Sequence, residues 1–163
     1  MPTVSNTSPI FNLGCIERLD LLPEQFGDIW IPEAVAAELR DVPDDAVRRK
    51  IEQAKASGWL KSRPASNAAL VSLLTADVHL GEAEAIALAL EMKADYVLID
   101  ERDGRRLARQ LGLHLTGVLG VLLRAKTMGR LRSVKAEIEA LRTKAHFFIA
   151  ADLERAVLSR AGE

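Results

Sequence analysis

Aromatic residues make up only 4% of this 163-residue chain, so a core has to be assembled from Leu, Ile, Val and Ala. Cysteine occurs once, as Cys15. That excludes an intramolecular disulfide and a thiolate metal cluster, and its apolar setting IFNLGCI marks it as a small core residue. No apolar run exceeds the six residues from Ala85 to Leu90, far short of the roughly 18 that a membrane span requires. The opening MPTVSNTSP has neither the basic nor the long apolar region of a signal peptide. The expectation is a cytoplasmic protein that does not engage a membrane. There is no Walker loop, no G-x-G-x-x-G after a strand, and no G-x-S-x-G around Ser5 or Ser8. His79, His114 and His146 lack zinc-like spacing and cysteine partners.

What remains is ordinary in amount and uneven in distribution. Apolar residues form 48% of the chain and charged residues 28%, a balance that suits a single domain over 1–163. Net charge is −1 overall, yet residues 1–101 carry −8, residues 102–144 carry +8 and the last 19 carry −1. Such a split points to a polyanionic partner. Short apolar stretches (TVSN at 3–6, DIWIP at 28–32, WLKSR at 59–63, YVLID at 96–100, HLTG at 114–117) alternate with helical patterns. The first helical pattern spans Ile10 to Leu22 behind Pro9. Others follow Pro32, span PDD at 43–45 to Ser57, and cover Asn67 to Leu74. Further helices run through EAEAIALALEM, RDGRRLARQLG, GVLGVLLRAKTMG, Val134 to Lys144 and Asp152 to Ser159. Alternation of this kind predicts an α/β fold, a parallel sheet covered on both faces. Trp30 and Trp59 fall within strands and read as core rather than stacking platforms.

In a parallel sheet ligands bind beyond the carboxyl ends of the strands, and polar groups recur there. Asn6 closes the first strand, Glu38 lies in the helix after the second, Glu82 opens the alanine-rich helix and Asp100 closes YVLID. Clustered carboxylates repel one another, and a hard cation such as Mg²⁺ or Mn²⁺ relieves that cost. At about 100° per residue, Glu82 shares a face with Ala85, Ile86 and Ala89, while Glu84 lies opposite, toward solvent with Glu91. On the next helix Arg102, Arg105, Arg106 and Arg109 fall within about 100° of arc, with Leu107 and Leu111 on the far side. The pattern predicts a basic stripe able to hold a phosphate backbone without sequence choice.

SNTSPI at 5–10, IPEAVAAELR at 31–40, GEAEAIALALE at 81–91 and LIDERDGRRLARQLG at 98–112, occurring in that order, resemble the motifs of PIN domains. In particular they resemble a bacterial and archaeal branch of PIN-like proteins. The likeness runs from residue 3 to about residue 130, leaving 131–163 as additional C-terminal helices. It implies a three-layer α/β/α domain with a central parallel sheet. It also implies a Mg²⁺- or Mn²⁺-dependent ribonuclease, in many relatives the toxin of a toxin–antitoxin pair. Expected partners are single-stranded RNA, a small antitoxin protein and a second copy of the chain.

The resemblance places the four acidic positions on Asn6, Glu38, Glu82 and Asp100, as metal ligands and catalytic groups. Thr7 and Ser8 match the hydroxyl residues after the first motif and, with the arginine stripe, would contact substrate. The departure is Asn6, where PIN nucleases usually carry Asp. An amide oxygen can ligate a cation but brings no charge, so a PIN-like module that binds nucleic acid or protein with little catalysis is the alternative. A phospho-acceptor or phosphatase domain would want an aspartate nucleophile at the same place, which Asn6 removes.

Overall fold

The computed structural model describes residues 2–163. Five short parallel strands form one sheet: β1 Thr3–Ser5, β2 Ile29–Ile31, β3 Leu60–Ser62, β4 Tyr96–Leu98 and β5 Leu115–Thr116. Their spatial order is β3-β2-β1-β4-β5. Central β1 pairs Val4 with Trp30 of β2 on one side and with Val97 of β4 on the other. Helices α1 Thr7–Cys15, α2 Leu21–Phe26, α3 Glu33–Arg40, α4 Asp45–Ala56 and α5 Ala68–Leu74 belong to the first half. They are followed by α6 Leu80–Met92, α7 Arg102–Gln110, α8 Val118–Thr127, α9 Val134–Lys144 and α10 Ala151–Arg160.

The two-residue period of the strands divides the apolar residues between two cores. Ile29, Ile31 and Leu98 join Ile10, Leu13, Leu39, Leu122 and Ile138 on one face. Val4, Val97 and Ile99 join Leu74, Ile86, Leu88 and Ala108 on the other. The result is the three-layer arrangement that the alternating pattern predicts. Its strands are only two or three residues long, so the carboxyl ends of β1 and β4 lie immediately beside the starts of α1 and α7.

Three local expectations need correction. The helix foreseen from Ile10 to Leu22 is two helices. The chain leaves α1 where Glu17 adopts φ 60° and Arg18 N–H closes back on the Leu13 carbonyl at 2.8 Å. This left-handed exit with a reversed hydrogen bond is a common way to stop a helix. Pro9 sits in the first turn of α1 but does not open it; Thr7 and Ser8 precede it, and a missing N–H costs nothing there.

The third correction concerns α6. Gly81, Glu82, Ala83, Ala85, Ile86, Ala87, Leu88 and Ala89 are buried; Glu91 is exposed as the wheel places it, but Glu84 is half-buried and does not simply face solvent. Glu84 accepts the Ala34 N–H at 2.7 Å, and Glu91 accepts those of Ser66 and Asn67 at 3.1 and 2.8 Å. Both carboxylates thus meet free N–H groups at or just before helix starts. At α3 the residue before the helix is Pro32, whose side chain has no acceptor to offer.

Candidate active site

Asn6 and Glu101 occupy the N-cap positions of α1 and α7, and neither side chain caps its own helix. Asn is among the best N-cap residues, so its use elsewhere is informative. The Asn6 amide Nδ2 donates to Glu101 Oε2 at 3.0 Å, and Ser8 Oγ donates to Glu101 Oε1 at 2.5 Å. Asn6 is only 3% exposed. A hydrogen bond between two cap residues 95 positions apart ties the ends of β1 and β4 together.

Two further carboxylates close on this pair. Glu38, exposed on α3, accepts from the Thr7 hydroxyl. A Cβ placed on Gly81 would lie 2.7 Å from Glu38 Oε1 and 3.4 Å from Asn6 Oδ1, so the absence of a side chain there leaves room for both oxygens. Glu82, at the start of α6, is 4% exposed, and its Oε2 is buried without a hydrogen-bond partner. Burial raises its pKa above the ordinary carboxylate value, and the nearby charge of Glu101 raises it further.

Gly104 of α7 allows this approach. A Cβ there would fall 2.3 Å from Glu82 Oε2 and 3.0 Å from Ile99 Cγ2. Gly104→Ala is therefore expected to displace the Glu82 carboxylate and cost about 1–3 kcal/mol through overpacking. Thermal unfolding with and without Mg²⁺ reads both effects. A variant that gains as much stability from Mg²⁺ as the parent would detach Glu82 from any cation site.

Asp100, expected as the fourth member of the cluster, faces the other side of the sheet. Its oxygens accept the Val118 N–H at 2.8 Å and the Asn12 amide at 3.2 Å, joining the end of β4 to the start of α8 and to α1. Alternation is the reason: Asp100 shares its face with Leu98, which packs with Val118 and Val121. The neighbouring Glu101 then turns back across the strand ends toward Asn6. Burial outweighs these hydrogen bonds and pushes the Asp100 carboxyl up to about 6.

The arginines of α7 also divide. Arg102, Arg106 and Arg109 are exposed, and Arg106 reaches Asp103 only loosely, at 3.8 Å. Arg105 is half-buried and donates to the Ile99 carbonyl at 2.8 Å. Burial holds its guanidinium below its usual pKa, as does neighbouring Arg109, while Asp100 opposes them. Arg105 therefore has a structural partner that the stripe did not foresee. The face that α7 buries is Gly104 and Ala108; Leu107 is half-buried and Leu111 is 38% exposed. Small residues let α7 approach the sheet closely enough to meet Glu82.

The geometry brings Asn6, Glu38, Glu82 and Glu101 to one end of the sheet and leaves Asp100 on its far side. Thr7 and Ser8, expected at substrate, have hydroxyls that hold Glu38 and Glu101. Strand-end reasoning reaches Asp100 and Glu101 together, and the motif resemblance gave the site position to Asp100, although the period of two along Leu98–Asp100 signals which of the two acids turns away. Among the described residues no three carboxylate, histidine or cysteine side chains lie close enough to grip an ion as they stand. The donor set nevertheless fits a hard cation in kind. It offers only oxygen, it includes one buried oxygen with no partner, and two glycines keep it uncrowded.

A family model described as a PIN domain matches residues 2–163, and the chain belongs to the PIN-domain family. Proteins of this family are generally nucleases, and they generally use divalent metal ions. No curated protein and no solved structure matches the chain. No helix is long and apolar enough to cross a membrane among the described residues.

Proposed function

We propose that this protein hydrolyses the phosphodiester backbone of single-stranded RNA in a reaction dependent on Mg²⁺ or Mn²⁺, with Glu38, Glu82, Glu101 and Asn6 as the ion's protein ligands. The observation that carries the reading is Glu82 Oε2, buried without a partner in a pocket that Glu101 also lines. The His79 backbone N–H and side chain favour the charged form only in part, and an oxygen left buried without a partner costs stability unless a cation completes it. When bound, the ion supplies neutralisation of phosphate charge and a water of lowered pKa. Thr7 and Ser8 hold Glu38 and Glu101 in place, so that the carboxylates need not search for their orientation. Arg102 and Arg106, exposed in the same pocket as Glu82 and Glu101, are placed to meet backbone phosphates. A small antitoxin and a second copy of the chain are the protein partners that this reading expects.

Asn6 favours a second reading, a binding module with little catalysis. Its amide donates to Glu101 and so supplies part of the stabilisation that a cation would otherwise provide. The two readings separate on Asn6→Asp. The change removes the donor, adds a charge, lowers stability without metal, and lets saturating Mg²⁺ restore more of it than in the parent. For a weakened nuclease, cleavage of a labelled single-stranded RNA rises several-fold over the parent and disappears in EDTA and in Glu101→Gln. Cleavage at background for parent and Asn6→Asp alike, with either metal, would reject hydrolysis and leave the binding module.

A further inference from the structure

Aromatic side chains are few in this protein, and one stands out of the surface. Phe148 is 85% exposed, the most exposed of the large apolar residues. It lies in the irregular segment between α9 and α10, and that segment is anchored on both sides of it. Phe147 packs against the main core, and its N–H closes on the Leu141 carbonyl at 3.1 Å. Ile149 is 6% exposed within the same core. Arg142 clasps Glu154 from helix to helix, with its second contact at 3.0 Å. With Phe147 half-buried and Ile149 buried, the ring between them is left in water. Phe148 is thus presented by a fixed segment and does not belong to a loose end.

The ring borders a groove whose walls are partly apolar, from Phe147, Leu119, Leu123 and Leu153, and partly basic. Phe148 lines it together with Arg102, Arg105, Arg109 and Arg160, and Asp100 is the one acid among its walls. Arg102, Arg109 and Arg160 form no ion pair among the described residues. Arg102 also lines the pocket that holds Glu82 and Glu101. The groove and the carboxylate site therefore meet at one arginine. A strand whose phosphate rests on Arg102 has the carboxylates on one side, with further guanidiniums and a bare ring on the other.

We infer that Phe148 is a stacking platform for an unpaired base, and that Arg102, Arg109 and Arg160 hold the backbone leading from it to the carboxylate site. The assignment rests on the nuclease reading for its substrate class but adds a subsite beside the cluster, formed by α7 together with the C-terminal segment that carries Phe148 and Arg160. Three unpaired cations with almost no competing acid suit a polyanion. An exposed ring suits a base, because every base offers a π-face. Duplex bases are already stacked, so the platform selects single strands.

The test is binding of fluorescently labelled single-stranded RNA to the full chain in EDTA, where cleavage is suppressed, beside a duplex of the same sequence. Phe148→Ala is expected to weaken single-strand binding about five- to a hundred-fold and to leave duplex binding and thermal unfolding unchanged. Phe148→Trp retains the parent affinity. Arg160→Gln lowers the slope of log affinity against log salt by about one. Parent and Phe148→Ala binding the single strand equally, or no binding by the parent, would overturn the platform. If Phe148→Ala instead abolishes self-association in sedimentation and spares RNA binding, the ring belongs to a protein interface and the inference falls. Failure of the nuclease reading is seen separately. Cleavage then stays at background with Mg²⁺ or Mn²⁺ while the Phe148-dependent binding persists.

Discussion

Replacing Glu82 by Met stabilises the protein in EDTA and removes most of the stability that Mg²⁺ or Mn²⁺ adds to the parent. The change keeps a side chain of similar volume at a position only 4% exposed, and deletes both the charge and the oxygen that lacks a partner. An unsatisfied buried polar group costs about 1–3 kcal/mol, and a buried charge costs more until it is paired or neutralised. Here burial and Glu101 both work against ionisation. In the parent, a cation bound only by the folded state contributes RT ln(1 + [L]/Kd), and that contribution is forfeited with the ligand. Thermal unfolding of both proteins across a Mg²⁺ or Mn²⁺ series gives the two quantities together. A variant less stable than the parent in EDTA, yet equally responsive to metal, would show that Glu82 is a satisfied structural acid and that the ion sits elsewhere.

Asp100→Asn has the second large effect, on the dependence of stability on pH. Burial raises the Asp100 carboxyl from 3.8 to about 6, opposed by the Val118 N–H, the Asn12 amide and Arg105. A raised carboxyl binds its proton more tightly in the folded state. Its contribution to stability is thus fully present below the unfolded value and is lost as pH rises through the folded one. For the metal-free parent, stability therefore falls between about pH 4 and pH 6 on account of this group. The amide oxygen that Asp100→Asn introduces still accepts from Val118 N–H, and Asn12 can turn its own amide to meet the new Nδ2. The variant loses that part of the pH dependence and becomes more stable near neutrality by about 1–3 kcal/mol. Denaturant unfolding in EDTA at several pH values checks this. Identical pH profiles for parent and variant would mean that the helix start and Arg105 stabilise the ionised form enough to cancel burial. Cleavage should survive the change, since Asp100 stands apart from the Asn6–Glu101 pair.

The order of the strands, the parallel sheet and the gathering of Asn6, Glu38 and Glu82 at one end of it were legible from the chain. Each depends on local periodicity or on residues close in sequence. YVLID alternates its faces whatever surrounds it, and Asn6, Glu38 and Glu82 are carried by elements whose pattern is strong. The break in the helix after Cys15 was not legible, because apolar spacing continues through Leu19 and Leu22 while the backbone reverses at Glu17. The roles of Glu84 and Arg105 were hidden for a related reason. A helical wheel separates core from solvent, but Glu84 meets the start of α3 and Arg105 the carbonyl of Ile99, and both partners are set by packing. Choosing between Asp100 and Glu101 also required the packed sheet. The two acids are adjacent in the chain, and only the positions of α1, α6 and α8 around the end of β4 give one of them Asn12 and Val118 and the other Asn6 and Ser8. Sequence thus supplies the inventory of oxygens and the end of the sheet where they gather. Which oxygen is left buried and unpartnered follows from how closely α7 approaches at Gly104, a distance set by contacts between residues far apart in the chain.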